Sequence, residues 1–133
     1  MTLARRTLLK RLAGAALLCH VPGLAARAES VTAAPLPERL VRLFAHRESA
    51  VVVGRRYLAL AHEPADAAAL AARVAGNPRG YARLCAADAV ALRALVARQE
   101  RRDFAAGRTV TVDGWVLSLT EARLCAIAAL ARG

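Results

Sequence analysis

Thr109-Val110-Thr111-Val112-Asp113-Gly114-Trp115-Val116-Leu117-Ser118 is the stretch on which the reading of this fold turns. Two alternating runs, rich in β-branched residues, flank an Asp-Gly pair. That pair is the strongest short-range signal for a two-residue hairpin, because a type I′ turn needs positive φ at both central positions. A two-residue turn fixes the register. Val112 faces Trp115 and Val110 faces Leu117, so these four side chains share one face while Thr111 and Val116 take the other. An isolated hairpin is marginal in water, so the face carrying Trp115 is predicted to pack on the rest of the chain. Downstream, Ser118-x-x-Glu121 has the spacing of a capping box. It opens a last helix over residues 120–131, with Leu124, Cys125, Ala128 and Leu130 available to a core.

Upstream of the hairpin the apolar spacing is helical. Gly107 closes a long predicted helix over 81–104, whose inward stripe is Tyr81, Leu84, Cys85, Leu92, Leu95 and Val96. Asp88 falls on that stripe. A buried carboxylate is costly unless paired, so Asp88 either sits at the margin and pairs with an arginine such as Arg123 or is a functional, partner-facing group. A shorter alanine-rich helix opens near Asp66, runs to Ala75 and stops at Gly76-Asn77-Pro78. Residues 49–62 are ambiguous. Ser49 can cap a helix striped by Val53, Tyr57 and Leu60, in which case Gly54 lets another helix approach closely; but Val51-Val52-Val53 followed by Gly54-Arg55 also fits a hairpin. A first helix is predicted over 37–47, with Pro37 in its first turn. The fold class is thus mainly α: a small bundle of about four to five helices with one C-terminal β-hairpin, in a single domain over 37–133. No internal repeat is visible.

The first 28 residues read differently. Arg5, Arg6, Lys10 and Arg11 form a basic head, and no acid occurs before Glu29. An apolar run follows over 12–21, then Pro22-Gly23, and then Ala26-Arg27-Ala28, an A-x-A cleavage site. The run is well short of the roughly 20 residues needed to span a bilayer. Ala4-Arg5-Arg6-Thr7-Leu8-Leu9-Lys10 resembles the twin-arginine export motif, whose usual form is Ser/Thr-Arg-Arg-x-Phe-Leu-Lys. Arg5, Arg6, Leu9 and Lys10 match it; Leu8 stands for the more common Phe, and Ala4 replaces the hydroxyl residue. The apolar run is diluted by alanine and Gly14, and Arg27 lies beside the cleavage site. Both features disfavour the general secretory route, which is one alternative reading; a buried amphipathic N-terminal helix is another. Leu18 before Cys19 argues against lipid attachment. The resemblance implies a periplasmic protein carried folded by the twin-arginine machinery. Residues 29–36 then read as a tether, and membrane contact is confined to the leader.

The formal charge of +10 is halved by loss of that leader, which holds five basic residues and no acid. Aromatic residues make up 4% of the chain, and the paired arginines Arg55-Arg56 and Arg101-Arg102 are not interleaved with them. Nucleic-acid binding is therefore not expected, whereas a partner with an acidic face is compatible. Cys85 and Cys125 remain after cleavage. They either pair in an oxidising compartment, closing a loop of about 40 residues worth about 3–4 kcal/mol, or are buried free thiols. No Cys-x-x-Cys, nucleophile elbow, phosphate loop or dinucleotide fingerprint occurs. The two histidines beyond the leader, His46 and His62, have no spacing that suggests a metal site. No cofactor or metal is expected.

These features point to a non-catalytic accessory protein or small subunit rather than an enzyme. Leader, size, helix content and the C-terminal Asp-Gly-Trp segment followed by a short helix are together similar to the small twin-arginine-exported subunits of flavin-dependent sorbitol, fructose and gluconate dehydrogenases. That resemblance implies a larger periplasmic or membrane-associated dehydrogenase as partner, and it transfers no functional residue. Trp115 and Asp88 are the partner-facing candidates. The alternative is an independent small periplasmic enzyme or ligand-binding protein using Asp88, Cys85 and nearby groups. A folded domain held at the membrane by an uncleaved leader is a third arrangement.

Overall fold

The computed structural model describes residues 34–131. The leader, with Arg5, Arg6, Leu8, Leu9, Lys10 and the cleavage residues Ala26 and Ala28, lies outside the described residues, as do most of the tether and the last two positions. The described chain runs α1 Leu36–Val41, α2 Arg47–Leu60, α3 Ala67–Ala75, α4 Pro78–Ala86, α5 Ala89–Ala105, β1 Thr109–Val112, β2 Trp115–Ser118 and α6 Leu119–Leu130. It is mainly helical with one antiparallel hairpin near the C-terminus. No helix among the described residues is long and apolar enough to cross a membrane.

The last helix is the centre of the molecule. Ala122 and every residue from Leu124 to Ala129 in α6 are buried. A helix apolar all round must be covered on several sides, and α2, α3, α5 and α1 supply that cover. The largest of these contacts is with α2. It is close because Gly54 presents no side chain: a Cβ there would lie 1.9 Å from the Cys125 carbonyl oxygen. The 49–62 ambiguity thus resolves as helix, and Gly54 has the close-packing role anticipated for it. β-branched Val51 and Val53 are tolerated in α2 because Val51 is buried against the core, where packing outweighs a small propensity deficit.

Helix starts and stops follow local chemistry. The Asp66, Asn77, Asp88 and Ser118 side chains each accept a hydrogen bond from the backbone N–H three residues on, capping α3, α4, α5 and α6. Gly76 and Gly107 take positive φ where α3 and α5 end. Two boundaries differ from expectation. The first helix stops at Val41 rather than near Arg47, and Leu43 and Phe44 close it with short-range backbone bonds. The long helix predicted over 81–104 is two helices, so the described residues form six. Ala87 and Asp88 are extended. Asp88 starts the second piece, while Arg39 from α1 donates to the Cys85 carbonyl at 2.8 Å and to the Ala87 carbonyl, occupying oxygens a continuous helix would use internally.

Candidate functional site

The hairpin has the register read from its sequence: Val112 opposite Trp115, Thr111 opposite Val116, Val110 opposite Leu117 and Thr109 opposite Ser118. Asp113 at φ 49° and Gly114 at φ 84° form its turn. The expectation that the Trp115 face packs on the helices holds at Val110, Val112 and Leu117 and fails at the tryptophan. Val112 is 2% exposed, yet Trp115 is 74% exposed. Helices α2 and α6 pack on β1, and β2 rests on α5 and α6. Both strands are thus supported by the body, and Trp115, next to the turn, overhangs into solvent while its cross-strand partner Val112 is covered. Val116 on the opposite face is also exposed, as is Phe104 near the end of α5.

What holds this hairpin in place is Asp103. Its carboxylate is buried and accepts from the Thr120 N–H at 2.8 Å, the Thr120 hydroxyl at 2.6 Å and Arg108 Nε at 2.9 Å, with Gln99 Nε2 farther off at 3.4 Å. Arg108 immediately precedes β1, and Thr120 lies just after β2. One carboxylate thus ties both legs of the hairpin to the end of α5. The Leu119 N–H to Arg108 carbonyl bond, 3.0 Å, closes the same junction. Burial pushes the Asp103 carboxyl up, but the bonds from Thr120 and Arg108 outweigh it and hold it below the usual carboxylate range. The Arg56–Asp113 pair at the tip, 3.5 Å and well exposed on both sides, adds little.

Asp88 is not the buried charge of this protein. It is exposed, and its carboxylate accepts from the Ala91 N–H at 2.8 Å. Arg123, the partner expected for it, instead donates from Nε to Glu63 at 2.9 Å. Glu63 also receives the Tyr57 hydroxyl at 3.0 Å and Arg73 Nη1 at 2.5 Å, which fastens the α2–α3 link onto α6. Burial raises the Glu63 pKa, but Arg123 and Tyr57 donate strongly enough to lower it overall. Burial, with the Glu63 bond, pushes the Tyr57 hydroxyl up to about 12. Asp88 thus sits at the margin of the stripe, where it caps α5 instead of pairing with Arg123, and the buried carboxylate of that stripe is Asp103. Asp103 falls seven positions after buried Val96, so the same periodicity points to it. Glu63 carries no such signal.

Both described cysteines are free thiols. Cys85 is exposed; Cys125 is buried, and burial followed by the nearby Glu121 and Glu100 charges pushes its thiol up to about 12. His46 and His62 are both exposed. Among the described residues no group of three His, Cys, Asp or Glu side chains is placed to hold a metal ion. The structure therefore does not bring Asp88, Cys85, Cys125 and the histidines together as one such cluster.

No family model, curated protein or solved structure matches this chain.

Proposed function

We propose that this protein is a small accessory chain, exported folded by the twin-arginine route, that docks onto a larger periplasmic partner through its C-terminal hairpin. The observation that carries this reading is Trp115: a tryptophan 74% exposed on a hairpin whose two legs are fixed by one buried carboxylate. A large aromatic held out in water by a rigid support is the usual anchor of a protein interface, since little ordering entropy remains to be lost on binding. The resemblance of the leader and overall layout to small subunits of flavin-dependent dehydrogenases supports a redox enzyme as that partner.

The test is purification of the tagged chain from the periplasm of its own host under mild conditions. A larger polypeptide should copurify, and Trp115→Ser should release it while leaving the melting temperature nearly unchanged. Repeated recovery of the unsubstituted protein as a free monomer overturns the docking reading. The export reading is tested separately. Arg5→Lys with Arg6→Lys should retain the chain in the cytoplasm, and the exported form should begin near Glu29 by mass spectrometry. Export unaffected by that double change would place the protein on the general secretory route.

A further inference from the structure

The two helices separated at Asp88 do more than divide a long segment. Between α4, the turn before it and α5 lies a cleft of about 400 Å³. Arg79 and Arg83 line one wall, Arg98 and Arg102 the other, each pair spaced i, i+4 on its helix so that both members point the same way. No Asp or Glu lines the cleft. The ion pairs of the described residues use Arg56, Arg73, Arg108 and Arg123, so none of these four guanidiniums is neutralised by a described carboxylate. The first turn of α4 also lines the cleft, through Asn77 and Gly80, and adds the positive pole of that helix. Buried Leu84 and Val96 form an apolar floor.

We propose that this cleft is a binding site for a small organic anion carrying phosphate. Four like charges around one volume repel one another until an anion enters, and a guanidinium fork matches phosphate oxygens with paired N–H donors. The volume falls within the range of about 300–1,000 Å³ usual for small-ligand sites. Four arginines lining one space, with no carboxylate among them, favour a compact, highly charged group. An acidic polypeptide spreads its charge, at most one per about 3.3 Å of extended chain. A nucleic-acid strand would call for stacking aromatics, and none lines the cleft. The apolar floor suits the organic part of such a ligand. This inference is independent of the docking reading, which uses a different surface.

The experiment is calorimetric titration of the exported protein at physiological salt with phenyl phosphate, inorganic pyrophosphate and a glutamate decapeptide. The phosphate probes should fill one saturable site per chain. Arg83→Gln with Arg98→Gln should weaken them roughly tenfold or more, as expected when two charge-assisted contacts are lost. Arg47→Gln with Arg55→Gln, the same charge change on α2, should leave affinity within about twofold. Tighter binding of phenyl phosphate than of pyrophosphate assigns an organic ligand that uses the floor; the reverse order assigns an inorganic one and removes that part of the proposal. Absence of saturable binding, equal losses in the two double variants, or tighter binding of the decapeptide overturns the phosphate site. Amide shifts in the unsubstituted protein provide a check that needs no variant. They should concentrate at residues 76–84 and 95–102, and shifts spread over the surface would mean diffuse charge attraction only.

Discussion

Gly54→Ala should be among the most damaging single-methyl changes available in this protein. The added Cβ would lie 1.9 Å from the Cys125 carbonyl oxygen, 2.3 Å from the Cys125 carbonyl carbon and 2.8 Å from the Ala126 nitrogen. Ordinary contacts between such atoms begin near 3.5 Å, so α2 and α6 must separate by more than about 1 Å. All three obstructing atoms are backbone in the middle of the most buried helix, where no rotamer change can relieve them. Overpacking of a core typically costs about 1–3 kcal/mol, and more where the backbone must move. Against this, replacing a mid-helix glycine with alanine gains about 1 kcal/mol of helix propensity. With a rigid backbone obstructing, the clash is worth about 4 kcal/mol, and less the propensity gain the net loss is about 3 kcal/mol. For a domain of this size that lowers the melting temperature by roughly 12–24 °C. Thermal unfolding followed by circular dichroism at neutral pH measures it. An unchanged or raised melting temperature for Gly54→Ala would refute the close α2–α6 approach on which the packing argument rests.

Asp103→Asn should cost about 2–3 kcal/mol at neutral pH, because an amide cannot accept all the donors that Thr120 and Arg108 direct at the carboxylate. The folded-state pKa of Asp103 is lowered, so its contribution is complete above the unfolded value near 4 and is lost as pH falls through the folded one. The gap in melting temperature between the unsubstituted protein and Asp103→Asn should therefore narrow below about pH 4; parallel curves would contradict the assignment. In a chain beginning at Glu29, native alkylation near pH 8 should modify exposed Cys85 and spare Cys125, whose thiol is buried and pushed up to about 12, with a second adduct appearing only on unfolding. Glu100 is raised by burial and then by Glu121, so ionising it opposes folding, and Glu100→Gln should raise the melting temperature at pH 7 more than at pH 4. The opposite pH trend would count against that placement.

Much of the molecule was legible because its signals are local. Asp113-Gly114 dictates a turn and therefore a register, and Ser118, Asp66 and Gly76 mark helix ends through bonds to residues three or four positions away. The break at Asp88 was not read as a cap, because its side chain falls on an apolar stripe that continues past it. The oxygens that the break exposes are satisfied by Arg39, more than forty residues distant. The candidate anion cleft was hidden for a similar reason. Adjacent pairs such as Arg55-Arg56 stand out in a sequence, whereas Arg79, Arg83, Arg98 and Arg102 come to line one cleft only after the chain folds back between them.

The sequence by itself determined the helical class and the hairpin with its register, since each depends on neighbours along the chain. Tertiary structure alone decided that Trp115 stands in solvent while Val112 is covered, that Asp103 rather than Asp88 is the buried carboxylate, and that four arginines share one cleft. Those outcomes depend on which elements lie beneath a given side chain, and that is fixed by packing around α6 rather than by any local pattern.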